Sequence, residues 1–202
     1  MNSIPIPFYA NTPDDTRCVQ ACFRMALKHF LSDTEYTWEQ MDTICHAIVG
    51  KGTWWFPALI ALQTLGLQTK MISSLDYKRL QNETFAYLEE RTNEKIALWY
   101  KTHSNLSAVA PLLPIFLQSN IWKKCAATLE DIDHLLQDGW LVGIELNARL
   151  LNGKEGLSPH MTYTLHDPGL PARKNHLVTR EELLTAWQYA GVNNTSLIGL
   201  KK

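Results

Sequence analysis

The chain reads as an α+β protein, with helices first and strands gathered toward its C-terminal half. Two observations carry this. Residues 16–65 place apolar side chains at three- and four-residue spacings, the period of a helix with one buried face. The stretches Trp140–Leu146, His160–His166 and Thr195–Leu200 are short, apolar or alternating, and rich in residues that suit a pleated surface. The length of 202 residues fits a single domain. It divides into a helical lobe over about 1–126 and a sheet lobe over about 127–202.

The N-terminal stretch, residues 1–15, is proline-punctuated and extended, with Ile4, Ile6 and Phe8 alternating along it. Thr16 is the expected N-cap of a helix reaching Leu31, whose face carries Val19, Cys22, Phe23, Ala26, Leu27 and Phe30. Thr37 and Gln40 form a capping box and open a second helix to about Val49, and Gly50-Lys51-Gly52 breaks it. Pro57 in the first turn and Gly66 after the last bound a third helix, Trp54–Leu65. A strand follows over Leu67–Ser73. Residues 76–104 are amphipathic helix, with Phe85, Leu88, Ile96, Leu98, Trp99 and Tyr100 expected in the core. Pro111 and Pro114 interrupt an apolar run over 105–126. A helix from Thr128 stops at Asp138-Gly139 before the strand Trp140–Leu146. A polar loop covers Asn147–Pro159, and a closing helix covers Thr179–Ala190.

Composition narrows the function classes. Apolar residues make up 46% and charged residues 19%, as in ordinary globular proteins, and a formal charge of -1 gives no general attraction to nucleic acid or anionic lipid. No basic–aromatic stripe, phosphate-binding glycine loop or metal-ligand spacing occurs, so neither metal nor cofactor is expected. No apolar run approaches the ~20 residues of a membrane span, and the first residues do not resemble a secretory signal. Cys18, Cys22, Cys45 and Cys125 are scattered, which suits reduced thiols in a cytoplasm.

Cys18 carries the chemistry. In the first turn of a helix, free backbone N–H groups and the helix dipole favour the thiolate, the nucleophilic form of cysteine. The same position also suits a small core residue. The stretch Cys18-Val19-Gln20-Ala21-Cys22-Phe23-Arg24-Met25 resembles the nucleophile helix of papain-like cysteine peptidases of the C39-like group. A second similar stretch is His166-Asp167-Pro168-Gly169-Leu170-Pro171, followed by Val178, Leu184 and Ala186-Trp187. The resemblance implies a papain-like fold, with a helical lobe carrying cysteine packed on an antiparallel sheet carrying histidine. It implies hydrolysis of a peptide or amide bond, with Cys18 as nucleophile, His160 as general base and acid, and Asp167 as the orienting residue. Asn11, seven residues before Cys18, stands near where the group has a glutamine oxyanion donor; it is one methylene shorter, and it also reads as a turn residue. The implied partner is a peptide or protein substrate; some members of the group cut leader peptides after Gly-Gly.

The histidine departs from the group's pattern, in which a Gly-His-Phe strand turns and returns to Asp-Pro. Here only seven residues separate His160 from Asp167. Seven strand steps of ~3.3 Å put the two side chains roughly 23 Å apart, against about 3 Å for a hydrogen bond. Met161-Thr162-Tyr163-Thr164-Leu165 contains no turn residue. Three readings follow. The catalytic histidine is missing and the protein is an inactive pseudopeptidase that binds peptides in the cleft; or His160 faces Cys18 under a different orienting group; or His166 substitutes.

Overall fold

The computed structural model describes residues 5–151, 162–188 and 195–202. Its helices are α1 (Cys18–Phe30), α2 (Trp38–Ile44), α3 (Phe56–Thr64), α4 (Tyr77–Glu83), α5 (Phe85–Arg91), α6 (Glu94–His103), α7 (Leu106–Val109), α8 (Leu113–Gln118), α9 (Leu129–Gln137) and α10 (Arg180–Gln188). Its strands are β1 (Gln68–Ser73), β2 (Trp122–Lys124), β3 (Leu141–Ile144), β4 (Thr162–Asp167), β5 (Arg173–Thr179) and β6 (Leu197–Lys201). The α+β class holds.

Local chemistry explains most boundaries. Thr37 and Gln40 close a reciprocal capping box on α2, with Gln40 N–H donating to Thr37 Oγ1 at 3.3 Å and Thr37 N–H to Gln40 Oε1 at 2.8 Å. Thr128 and Asp131 do the same on α9. α3 begins with Pro57 in its first turn and gives way to Gly66 at φ +85°, a conformation that costs glycine nothing. α2 stops at Ile44, short of the expected Val49, and the expected helix over 76–104 breaks into three at Thr84 and Thr92-Asn93. That breakage turns the α6 face outward. Leu98 and Trp99, expected in the core, are 56% and 50% exposed, and Ala97 takes the buried position.

The four-stranded sheet has the order β2-β1-β6-β3, and β4 pairs with β5 in a separate two-stranded sheet. β1 and β2 run parallel; β6 is antiparallel to both β1 and β3. The sheet is therefore mixed rather than wholly antiparallel, and it takes β1 and β2 from the stretch assigned to a helical lobe. Alternation along β6 sends Ile198 and Leu200 into one apolar cluster with α1, α3, α4 and α8, and Leu197 into a second with α9, α10 and β5. The sheet is a wall between two cores. The larger core holds a ring cluster of Phe56, Tyr77, Phe116 and Trp122, with neighbouring centroids 5.0–6.1 Å apart.

β5 was not legible as a strand. It pairs Tyr163 with Val178 and Leu165 with His176, so 162–179 is a hairpin turning over Pro168–Ala172. β4 is one continuous strand from Thr162, with an irregularity near Leu165 and Asp167 and no turn within it.

Candidate functional site

Asn11 links the start of α1 to the end of β4. Asn11 is 6% exposed, and its backbone N–H donates to the Pro168 carbonyl at 2.8 Å. Its Oδ1 accepts from the N–H groups of Thr12 and Arg17, each at 2.8 Å, and its Nδ2 donates to Asp15 Oδ1 at 2.7 Å. Thr16 does not supply the expected cap: α1 has no side-chain cap, its N-cap residue is Arg17, and the Arg17 N–H donates to Asn11 Oδ1 six residues upstream. In this arrangement the carboxamide that resembles an oxyanion donor fastens the loop into α1.

Arg17 and Gln20 anchor the same turn from the other side. The Arg17 fork grips Asp42 with Nε at 3.1 and 3.2 Å and Nη2 at 2.8 Å, and Gln20 Nε2 donates to Asp42 Oδ1 at 3.0 Å. Gln20 is consequently buried, whereas Cys22, expected on the apolar face, keeps open surface. A water-sized recess of about 20 Å³ lies beside this network, between Asp14, Asp42 and Val49.

Cys18 is the first residue of α1 and keeps open surface among the described residues. Protein atoms nonetheless crowd the sulfur, and that crowding governs its protonation. Burial is the largest influence and the Glu145 carboxylate the next; backbone N–H groups of Val19 and Cys18 oppose them, and Asp15 adds to them. The thiol is pushed up to about 11. Burial, then the Cys18 and Asp167 charges, push Cys22 up to about 12. Both sulfurs therefore sit in a negative, crowded setting, the reverse of what activates a cysteine. All four cysteines are free thiols.

Asp167 ends β4 and is held in place. Its Oδ2 accepts from Arg173 Nε at 3.0 Å and Nη2 at 2.5 Å, and its Oδ1 from Gly169 N–H at 3.0 Å. Arg173 donates further to the carbonyls of Leu151 and Ala148, at 2.9 and 3.0 Å. A Cβ on Gly169 would lie 3.0 Å from Asp167 Oδ1, so glycine is the residue that lets this turn close on the carboxylate.

His160 lies outside the described residues. His166 is engaged away from Cys18: Asn175 N–H donates to its Nδ1 at 3.2 Å, which leaves Nε2 as the protonated nitrogen donating to the Ile6 carbonyl at 3.1 Å. Among the expected residues, then, the structure brings Asn11, Cys18 and Asp167 into one region. Sequence reasoning missed Glu145 and Arg173. A hairpin signal in Asp167-Pro168-Gly169 would have flagged Arg173 as facing Asp167 across the turn.

Elsewhere, an open hollow of about 270 Å³ lies between α4, α5 and β2. Its charges are internally matched: Arg79 with Glu83 and Glu90, Lys124 with Asp76, and Arg91 donating to Ser74. Among the described residues no three His, Cys, Asp or Glu side chains gather as a metal set, and no helix is long and apolar enough to cross a membrane. Comparison with protein-family models, curated proteins and solved structures gave no match.

Proposed function

We propose that the chain is an inactive member of the C39-like, papain-like kind, a pseudopeptidase that holds an extended peptide beside Cys18 without cutting it. The observation that carries this is the Asp167–Arg173 pair. One oxygen of the carboxylate expected to orient an imidazole accepts two N–H bonds from a guanidinium that also ties down two backbone carbonyls. The setting of Cys18 agrees: a thiol pushed up to about 11 is almost wholly protonated at neutral pH.

In this reading the peptide lies along the edge of β3 away from β6. Among the described residues β3 pairs only with β6, so its other edge is where an added strand would pair. β3 runs directly into Glu145, whose charge reaches Cys18, so a peptide paired along it would pass the thiol. This reading suits a reducing, cytoplasmic setting.

A working Cys18–His160 dyad is the second reading. One observation favours it: Cys18 opens α1 with the N–H groups of Cys18 and Val19 directed at its sulfur. The test is the pH profile of Cys18 alkylation by iodoacetamide, mapped by mass spectrometry, for wild type and His160→Ala. The expected result is negligible reaction near pH 6, a rate that climbs with pH as the thiolate forms toward pH 11, and no effect of His160→Ala. Fast alkylation near pH 6 that His160→Ala abolishes would establish the dyad and sink the inactive reading.

A further inference from the structure

The N-terminal strap is fastened through a histidine ring in a way that only a neutral imidazole allows. Residues 5–12 run from the β4–β5 hairpin to the start of α1. At one end the His166 Nε2 donates to the Ile6 carbonyl, and Phe8 packs edge-on against the ring with centroids 5.3 Å apart. In the middle, Tyr9 donates to Glu35 at 2.7 Å and lies 4.1 Å beneath the Arg24 guanidinium. At the other end Asn11 N–H donates to Pro168 and Asn11 Oδ1 accepts from the Arg17 N–H.

The chemistry of the ring sets a condition on this arrangement. Nδ1 accepts from the backbone N–H of Asn175, which the chain holds at φ +53°. A protonated imidazole has two N–H donors and no acceptor. Charging His166 therefore turns the Asn175 contact from a hydrogen bond into two opposed N–H groups, and the half-buried ring must rotate or leave.

Among the described residues the imidazolium finds little compensation. On β4 itself, Asp167 is already paired with Arg173 of β5. β5 otherwise presents Lys174 and His176, and the strap presents only Tyr9. From α10, Arg180 is paired with Asp133, Glu182 accepts from Thr179, and Glu181 is exposed in the first turn. The ring's own contacts among the described residues are Ile6, Phe8 and Asn175.

We propose that His166 is an acid-sensitive latch: its neutral ring clips the N-terminal strap to the β4–β5 hairpin, and protonation loosens the strap and with it the Asn11 contacts to Pro168 and to Arg17 before the Cys18 helix. This deepens the reading of the Cys18 site, but the latch stands on its own geometry and is tested without peptide binding or catalysis.

The experiment is amide hydrogen exchange of Asn11 and Thr12, the strap N–H groups that donate to the Pro168 carbonyl and to Asn11 Oδ1, corrected for intrinsic exchange, on the full chain between pH 7.5 and 5.5, where imidazoles change charge. Wild type is expected to lose about fivefold in protection on acidification, the size set by one hydrogen bond. His166→Gln keeps one donor and one acceptor but cannot titrate, so its protection is expected to stay level. Unchanged wild-type protection overturns the latch, and so does an equal loss in the variant. If His166→Gln does not fold, nitrogen NMR of the wild-type ring decides. Nδ1 unprotonated at pH 7.5, with its protonation tracking the Asn175 amide shift, supports the latch; a ring protonated on Nδ1 at pH 7.5, or titrating without that shift, overturns it.

Discussion

The ring cluster and the Cys18 site are held together by different physics. Around Phe116 the contacts are apolar and fully buried: Phe56, Tyr77 and Phe116 are each at most 1% exposed, with Tyr77 edge-on to Phe116 and Phe56 tilted against it. Around Cys18 the contacts are polar and directional: Asn11 to Arg17, Arg17 to Asp42, Asp167 to Arg173. The first region is stabilised by area removed from water, which tolerates small displacements. The second depends on matched donors and acceptors, where losing one partner strands the other. Removing atoms from the cluster should therefore cost global stability and leave Cys18 unchanged, whereas breaking the polar clamps should change Cys18 at a smaller global cost.

The largest expected effect is in the cluster. Phe116→Ala leaves a void between Phe56 and Tyr77, and substitutions of this kind cost about 3–5 kcal/mol. Urea unfolding followed by tryptophan fluorescence measures it. A loss under about 1 kcal/mol would mean the cluster collapses into the gap, and the contrast between the regions would weaken.

The next effect is at the clamp. Arg173→Ala strands Asp167, whose side chain is only 13% exposed, and frees the carbonyls of Ala148 and Leu151. Hydrogen bonds to a charged group contribute about 1.5–3 kcal/mol, and a loss in that range is expected. A double-mutant cycle with Asp167→Asn separates the pair from the rest: coupling above about 1 kcal/mol sustains the clamp. Coupling near zero would remove the observation on which the inactive reading rests.

The same contrast explains what could be read from the sequence. Apolar periodicity and capping residues are local, so the start of α2, the extent of α3 and the start of α9 were all legible within a residue or two. The inward side of α1 was read partly wrong, because Gln20 is drawn in by Asp42, a partner 22 residues away that no helical period reveals. The exposed Leu98 and Trp99 misled for a similar reason: the break at Thr92-Asn93 resets which face turns inward. β5, with Arg173, Lys174, Asn175 and His176, is too polar to announce itself; its strand character comes from pairing with β4. Cys18 and Asp167 were singled out through a resemblance alone. Arg173 was not, since its meaning depends on the hairpin that sets it against Asp167.

The smallest expected effect comes from the most conspicuous ion cluster. Arg79 bonds Glu83 at 2.5 and 2.8 Å and Glu90 at 2.6 and 2.8 Å, four charge-to-charge contacts where Arg173 and Asp167 share two. These contacts raise the Arg79 pKa and lower those of both carboxylates, but all three groups lie at the solvent boundary. There, water and salt replace what the protein supplies, and the ordering of three long side chains offsets much of the rest. Arg79→Ala is therefore expected to leave the urea midpoint within error of wild type in 0.15 M salt, far below the change from Arg173→Ala. If the two variants lost equal stability, burial would not be what separates a clamp from a surface pair. The weight given to Asp167–Arg173 over the brighter cluster on α4 and α5 would then have to be withdrawn.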